Sequence, residues 1–187
     1  MRVKTSAVIL PFALVLASCG YNRIQTMDEQ ANAARSQIEV QLQRRADLIP
    51  NLVSTVKGYA AHEDEIFTKV AEARSALLNA VQSHDPEQMA AANQQTTSAL
   101  GRLLAISENY PQLKADQSFI RLQDELTGTE NRIAVARRNY IEAVRAYNTA
   151  LRTFPTVIWA KTVFAGNKPM AEFAAIEGSE KPPPVKF

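Results

Sequence analysis

The chain has little of the residues that make rigid or catalytic small domains. It carries one cysteine, one tryptophan, two histidines and six glycines in 187 residues. A single cysteine excludes an intramolecular disulfide framework, so an exported domain of this kind must rest on its core. Aromatics make up 7%, and the prolines are concentrated towards the C-terminal end. Neither sign of charge dominates, with 21 Lys+Arg against 19 Asp+Glu. Arg2 and Lys4 fall in a leader, and without them the count is 19 against 19. Net charge therefore gives no sign of a nucleic-acid-binding face. No Gly-rich phosphate loop is present, and no nucleophile stands beside a base, so no cofactor is expected and the chain reads as non-enzymatic.

The lone Cys19 stands where a short apolar leader ends. Arg2 and Lys4 open it, Ala7 to Leu16 form an apolar run, and Leu16-Ala17-Ser18 leads into Cys19-Gly20. The run is about 15–20 Å of helix, whereas a bilayer core needs about 20 apolar residues. The order resembles a lipoprotein signal. Residues 1–18 are expected to be removed, and Cys19 to be lipidated and become the new N-terminus. The alternatives are an ordinary secretory leader with an incidental cysteine, or a short uncleaved anchor. In a Gram-negative bacterium, Gly20 after the cysteine favours the outer membrane, facing the periplasm.

What remains has the composition of long helices, rich in alanine. Ile24, Ala31, Ile38, Leu52, Tyr59, Ile66 and Ala73 recur every seven residues, with Arg45 in the one missing place. A flanking row holds Leu42, Ile49, Val56, Val70 and Leu77, with Glu63 in its gap. This is one face of a long amphipathic helix, expected to end near Gln82. Pro50 predicts a kink at residues 46–50, because the stripe keeps its phase across it. A full break with Asp47 as cap is the alternative. Ser83-His84-Asp85-Pro86-Glu87 reads as a turn, an N-cap and a first-turn proline. A second helix then runs to about Asn109 and stops at Tyr110-Pro111.

A third helix is predicted from residues 116–118 to Pro155. Phe119, Leu126, Ile133, Tyr140, Tyr147 and Phe154 form a large-residue row, beside Leu122, Thr129, Ala136, Ala143 and Ala150. Large beside small suits close packing at a shallow angle. Residues 156–164 make a short helix anchored by Val157, Ile158, Trp159 and Phe164. From Gly166 the chain is a Pro-rich tail, partly docked through Phe173 and Ile176. The fold class is all-α: an elongated antiparallel bundle of three to four long helices in residues 19–165, with a tail in 166–187.

Gln41-Leu42-Gln43-Arg44-Arg45-Ala46-Asp47-Leu48-Ile49-Pro50-Asn51-Leu52-Val53, within residues 36–53, resembles the LemA family. The likeness continues through 56–63 and 122–137, through Tyr140 to Tyr147-Asn148 and Phe154-Pro155, and into the closing Pro184-Val185-Lys186-Phe187. It implies a membrane-tethered, extracytoplasmic bundle of long helices with no settled biochemical activity. Many family members begin with a transmembrane helix; this chain departs from them by ending its leader in a lipobox. Family members are often encoded near membrane proteases or TPM-domain membrane proteins, which implies a partner-dependent role with an envelope protein, those two classes being the candidates.

Few polar groups invite a chemical reading. His62-Glu63-Asp64-Glu65 begins like the zincin pattern, but Ile66 occupies the second histidine's place, so no zinc site is expected. Arg45, Glu63 and Glu130 sit in or beside apolar rows, and a charge buried alone is costly. Arg44 and Arg45 facing Glu130 or Asp124 is the expected structural pairing, and an acid–base carboxylate pair is the alternative. The Tyr140, Tyr147, Phe154 row reads as core, with base or ligand stacking as its alternative. Trp159 packs on the bundle end or touches a membrane interface. The reading is a lipid-anchored adaptor or scaffold, attached through acyl chains on Cys19, that binds an envelope protein and no nucleic acid. The alternatives are a regulatory or ligand-binding subunit of an envelope protease, and membrane remodelling by self-association.

Overall fold

The computed structural model describes the backbone of residues 6–171 and 173, with side chains from Gly20 onward. Among the described residues every regular element is helical: α1 Ser6–Lys57, α2 Asp64–Ser83, α3 Pro86–Ala105, a 3₁₀ turn Ile106–Asn109, α4 Pro111–Lys114, α5 Gln117–Ala150 and α6 Thr156–Thr162. The all-α class follows from the heptad rows. Cys19 lies in a helical backbone, but its side chain falls outside the described residues, as do Ile176 and the Pro-rich end. No described helix is long and apolar enough to cross a membrane.

The chain separates into two compact units, one from Met1–Ile38 with Val135–Glu172, the other from Glu39–Ala134 with Phe173–Phe187. In the first, Ile24, Tyr147, Leu151 and Phe164 form a core, with Met27, Trp159, Ala160 and Met170 packed around it. Burial, and then the charge of Asp28, push the Tyr147 phenol above its ordinary value. The start of the predicted tail is held in this unit by backbone bonds. Asn148 Nδ2 donates to Met170 O (3.0 Å), and Met170 N donates back to Asn148 Oδ1 (2.9 Å). Tyr140 Oη donates to Ala171 O (3.1 Å).

In the second unit, Ile49, Leu52 and Val56 of α1 meet Phe67, Val70 and Ala73 of α2, Leu100 and Leu103 of α3, and Phe119 and Leu126 of α5. Truncating one such side chain to alanine costs about 2–5 kcal/mol. Here the structure corrects the expected course of the first helix. The helix is unbroken at Pro50 and ends instead at Lys57, with a link over residues 58–63. Pro50 has no N–H for the carbonyl one turn back, which belongs to the buried Ala46. Arg74 of α2 supplies the missing donor, its Nε reaching Ala46 O at 2.9 Å. The proline is therefore carried by a neighbouring helix. At Lys57-Gly58-Tyr59 all three residues are exposed, and glycine is about 1 kcal/mol worse than alanine in a helix. No apolar burial offsets that cost, so the helix stops. The seven-residue row spanning 52, 59, 66 and 73 crosses this link by coincidence.

The caps follow the sequence closely. Asp85 Oδ1 accepts from Glu87 N (2.9 Å) with Pro86 in the first turn of α3. Asp116 Oδ1 accepts from Ser118 N (2.8 Å) and Phe119 N (2.9 Å) at the start of α5. Tyr59 Oη, in the link, donates to Asp116 Oδ2 at 2.8 Å. The helix α5 ends at Ala150, not Pro155. The row residue Phe154 consequently falls off the helix and stands 81% exposed instead of in the core. Ile158, expected as an anchor, is likewise 53% exposed.

Two predictions follow from these features. Arg74→Met should cost about 1–2 kcal/mol in urea denaturation by stranding Ala46 O. In a Pro50→Ala background the restored N–H takes over that carbonyl, so most of the loss should vanish. Equal losses in both backgrounds would show that Arg74 does something else. The second concerns pH. Asp116 is held below the usual carboxylate range, chiefly by Phe119 N–H and then by Tyr59. Asp85 is held low by Gln88 and then by Glu87 N–H. Depressed carboxylates stabilise the fold fully above their unfolded values near pH 3.9 and lose that contribution as pH falls through the folded ones. A double Asp85→Asn, Asp116→Asn variant keeps the acceptors without the titration. Its urea midpoint should fall less steeply than wild type below about pH 4.

Candidate functional site: a buried arginine and the groove beside Pro50

Both features lie in the second unit. Arg45 occupies the gap in the heptad row of α1, so the helix aims it where its neighbours bury Ile38 and Leu52. It is 4% exposed. Its Nη1 donates to Asn93 Oδ1 of α3 at 2.7 Å. The same nitrogen donates to Glu130 Oε2 of α5, completing an ion pair. Burial lowers the Arg45 pKa, and the charge and hydrogen bond of Glu130 oppose that fall. A guanidinium stays charged throughout the accessible pH range, so this group is a fixed cation tying three helices together. Glu130 keeps 43% of its side chain exposed, which lets water share its charge. Arg45 Nε and, one turn earlier, Gln41 Oε1 are buried without a hydrogen-bond partner.

The structure brings together Arg45 and Glu130 but not the other predicted groups. Arg44 and Asp124 are exposed. Glu63 lies in the 58–63 link, at the N-cap of α2, and makes no side-chain cap bond there; its place in a heptad row has no helical meaning. Asn93 is not legible in the sequence, because nothing sets it apart from other polar residues of α3. Glu130's partner was legible only as one of two choices. His62 sits exposed in the link. His84 takes the left-handed cap of α2 (φ 55°), and its Nδ1–H donates to Glu39 Oε1 at 2.9 Å. Among the described residues no three His, Cys, Asp or Glu side chains are grouped to hold a metal ion. Arg45 and Glu130 hold each other at full contact, an arrangement that supports register, not proton transfer to a substrate.

Beside Pro50 the facing walls of α1 and α2 enclose a groove of about 500 Å³. Ile49, Pro50, Val53, Phe67 and Ala71 give it an apolar lining; Lys57, Asp64 and Arg74 line it as well. Lys57 Nζ stands 5.0 Å from the Phe67 ring centroid, a cation–π distance. The groove lies alongside Pro50, where α1 continues without a break.

These features define an all-α protein whose polar interior serves helix register and whose open feature is an apolar groove. A model of the LemA family matches residues 34–187, and the chain belongs to that family. Among its relatives are magnetosome protein MamQ 2 of Paramagnetospirillum magneticum, 29% identical over 92% of this chain and 70% of that one, and magnetosome protein MamQ of Magnetospirillum gryphiswaldense, 29% identical over 72% of this chain and 58% of that one. Protein LemA of Metamycoplasma hominis is 26% identical over 83% of this chain and 70% of its own length.

The ion pair yields a direct test. Glu130→Leu leaves a buried guanidinium without its counter-charge and should cost about 2–3 kcal/mol. Adding Arg45→Met should recover most of that loss, short of about 1 kcal/mol for the stranded Asn93 Oδ1. Chemical denaturation of both variants checks it; additive losses would remove the pair from its register role.

Proposed function

We propose that this protein is a lipid-anchored adaptor of the bacterial envelope, tethered through acyl chains on Cys19 and non-enzymatic. Its groove beside Pro50 receives an acidic segment of an envelope protein, with an apolar side chain against the apolar lining. The observation that supports this reading is the groove itself: apolar lining residues Ile49, Pro50, Val53, Phe67 and Ala71, with two cations, Lys57 and Arg74, against one carboxylate, Asp64. A partner carboxylate beside Lys57 and Arg74 gains a charge-assisted bond, while Val53 and Phe67 give apolar contact. A thioether-linked diacylglycerol with an amide-linked chain supplies the two or more chains that stable anchoring needs. Because LemA family members are often encoded near membrane proteases or TPM-domain membrane proteins, those classes are the first candidates. A second reading follows from size, since about 500 Å³ also suits a small ligand. The protein would then be a regulatory subunit, and a ligand binding only the native state would raise its melting temperature.

Full-length protein carrying a photo-crosslinker at Val53 or Ala71 should join one predominant envelope protein in intact cells, and one at the exposed Gln94 should not. The purified pair should then bind saturably. Ala71→Glu, which sets a carboxylate against an acidic partner, should weaken binding about tenfold without altering thermal stability. Metabolic labelling with a clickable fatty acid should mark the wild type and not Cys19→Ser. Equal cross-linking from all three positions, or binding indifferent to Ala71→Glu, would overturn the groove; labelling of Cys19→Ser would overturn the anchor.

A further inference from the structure

The first unit leaves an apolar surface that its own core does not use. Phe154 is 81% exposed, Ile158 53%, Val163 56% and Tyr21 42%. All four belong to α6, the turn before it, its C-terminal flank, or the first turn of α1 after Cys19. The rings of this region are packed together. Tyr21 stands edge-on to Trp159 at 6.3 Å and tilted against Phe164 at 5.0 Å. A Cβ on Gly20 would lie 2.6 Å from Trp159 Cδ1, so the indole lies directly over the residue that follows Cys19. The helix α6 is thus held beside the point where the apolar leader ends.

Charge points the same way. From Ala143 to Ala171 the sequence has Arg145, Arg152, Lys161 and Lys168 and no carboxylate, although the whole chain is nearly balanced. Arg152 and Lys161, both exposed, flank Phe154 and Ile158. Exposed aromatic and branched side chains with Lys and Arg beside them, in a stretch of chain free of carboxylates, suit the headgroup zone of an anionic bilayer.

We propose that the α6 edge of the first unit, through Phe154, Ile158 and Val163 with Arg152 and Lys161, seats on the surface of an anionic phospholipid bilayer. This rests on the anchored reading above, because the anchor is what brings that edge to a membrane. Phe154 and Ile158 dip to the acyl boundary, Tyr21 and Trp159 lie at headgroup level, and the cations meet lipid phosphates. Each cation near such a surface favours attachment about fivefold. The contact fixes how the first unit is presented, where acyl chains alone would leave it free to swivel.

Trp159 is the sole tryptophan, so its fluorescence reports this edge alone. The full-length lipidated protein is reconstituted into vesicles of phosphatidylglycerol or of phosphatidylcholine, each with a fraction brominated near the headgroup. Flotation reads the anchor; quenching of Trp159 reads the surface. The expected result is flotation with both lipids and stronger quenching in phosphatidylglycerol. A Phe154→Ser, Ile158→Ser variant, whose changes sit on exposed side chains, should still float but lose about half of that quenching or more. Circular dichroism confirms that the variant keeps its helices, and Arg152→Gln with Lys161→Gln, which leaves the apolar residues in place, should abolish the preference for phosphatidylglycerol. Flotation without quenching, or quenching equal in all variants, overturns the surface and leaves the anchor. Failure to float overturns the anchor and the surface with it. Lipid-independent dimers in sedimentation that protect Trp159 from a water-soluble quencher would assign the patch to a second copy and overturn it too.

Discussion

The guanidinium of Arg45 is the constraint on which the second unit turns. A fixed charge at 4% exposure is tolerable only with its partners in contact. Those partners come from different helices, Asn93 on α3 and Glu130 on α5. A slip of either helix by one residue removes the partner and strands the cation. The surrounding contacts, Leu52 against Leu103 and their neighbours, are less particular, because apolar side chains tolerate sliding over one another. Packing supplies most of the stability here, and the ion pair supplies register.

Pro50 is handled by the same logic. The proline removes a donor, and Arg74 from a facing helix replaces it. One side chain thereby serves two ends. It satisfies the carbonyl that Pro50 leaves open, and it lines the groove beside that proline. The groove lies beside the proline that α1 carries without a break. In the first unit, by contrast, the aromatic side chains gather where α6 meets Gly20 and Tyr21 of α1, and the turn after Ala150 throws Phe154 outward. Each unit therefore presents one distinctive surface, a charged-rimmed groove in one and an apolar, cation-flanked edge in the other. Membership of the LemA family accounts for the helices and assigns neither surface.

Much of this was legible in advance. Asp85-Pro86 and Asp116 announce helix starts, because a short acceptor followed by free N–H groups satisfies them wherever the chain goes. Tyr110-Pro111 announces a stop for steric reasons that need no neighbours. The row Phe119, Leu126, Ile133, Tyr140 and Tyr147 is buried throughout, and that Arg45 needs an acid could be told from its place in an apolar row. The end of α1 is hidden by phase: the stripe from Leu52 to Ala73 continues in the sequence across residues 58–63, where the helix has ended. Periodicity records which positions are apolar, and it is blind to a link whose length happens to keep the count.

By itself, then, the sequence determined the helical class, the capped starts of α3 and α5, the apolar rows, and the need to neutralise Arg45. These are properties of residues and their near neighbours along the chain. Tertiary structure alone decided how α1 is carried past Pro50 and that it fails at Gly58, that Asn93 joins Glu130 on Arg45, and that Phe154 and Ile158 face outward. Each of those outcomes depends on a group distant in sequence, such as Arg74 lending a donor to Ala46, or on burial that no local pattern encodes. A hydrogen bond between residues 28 positions apart exists only once the helices have met.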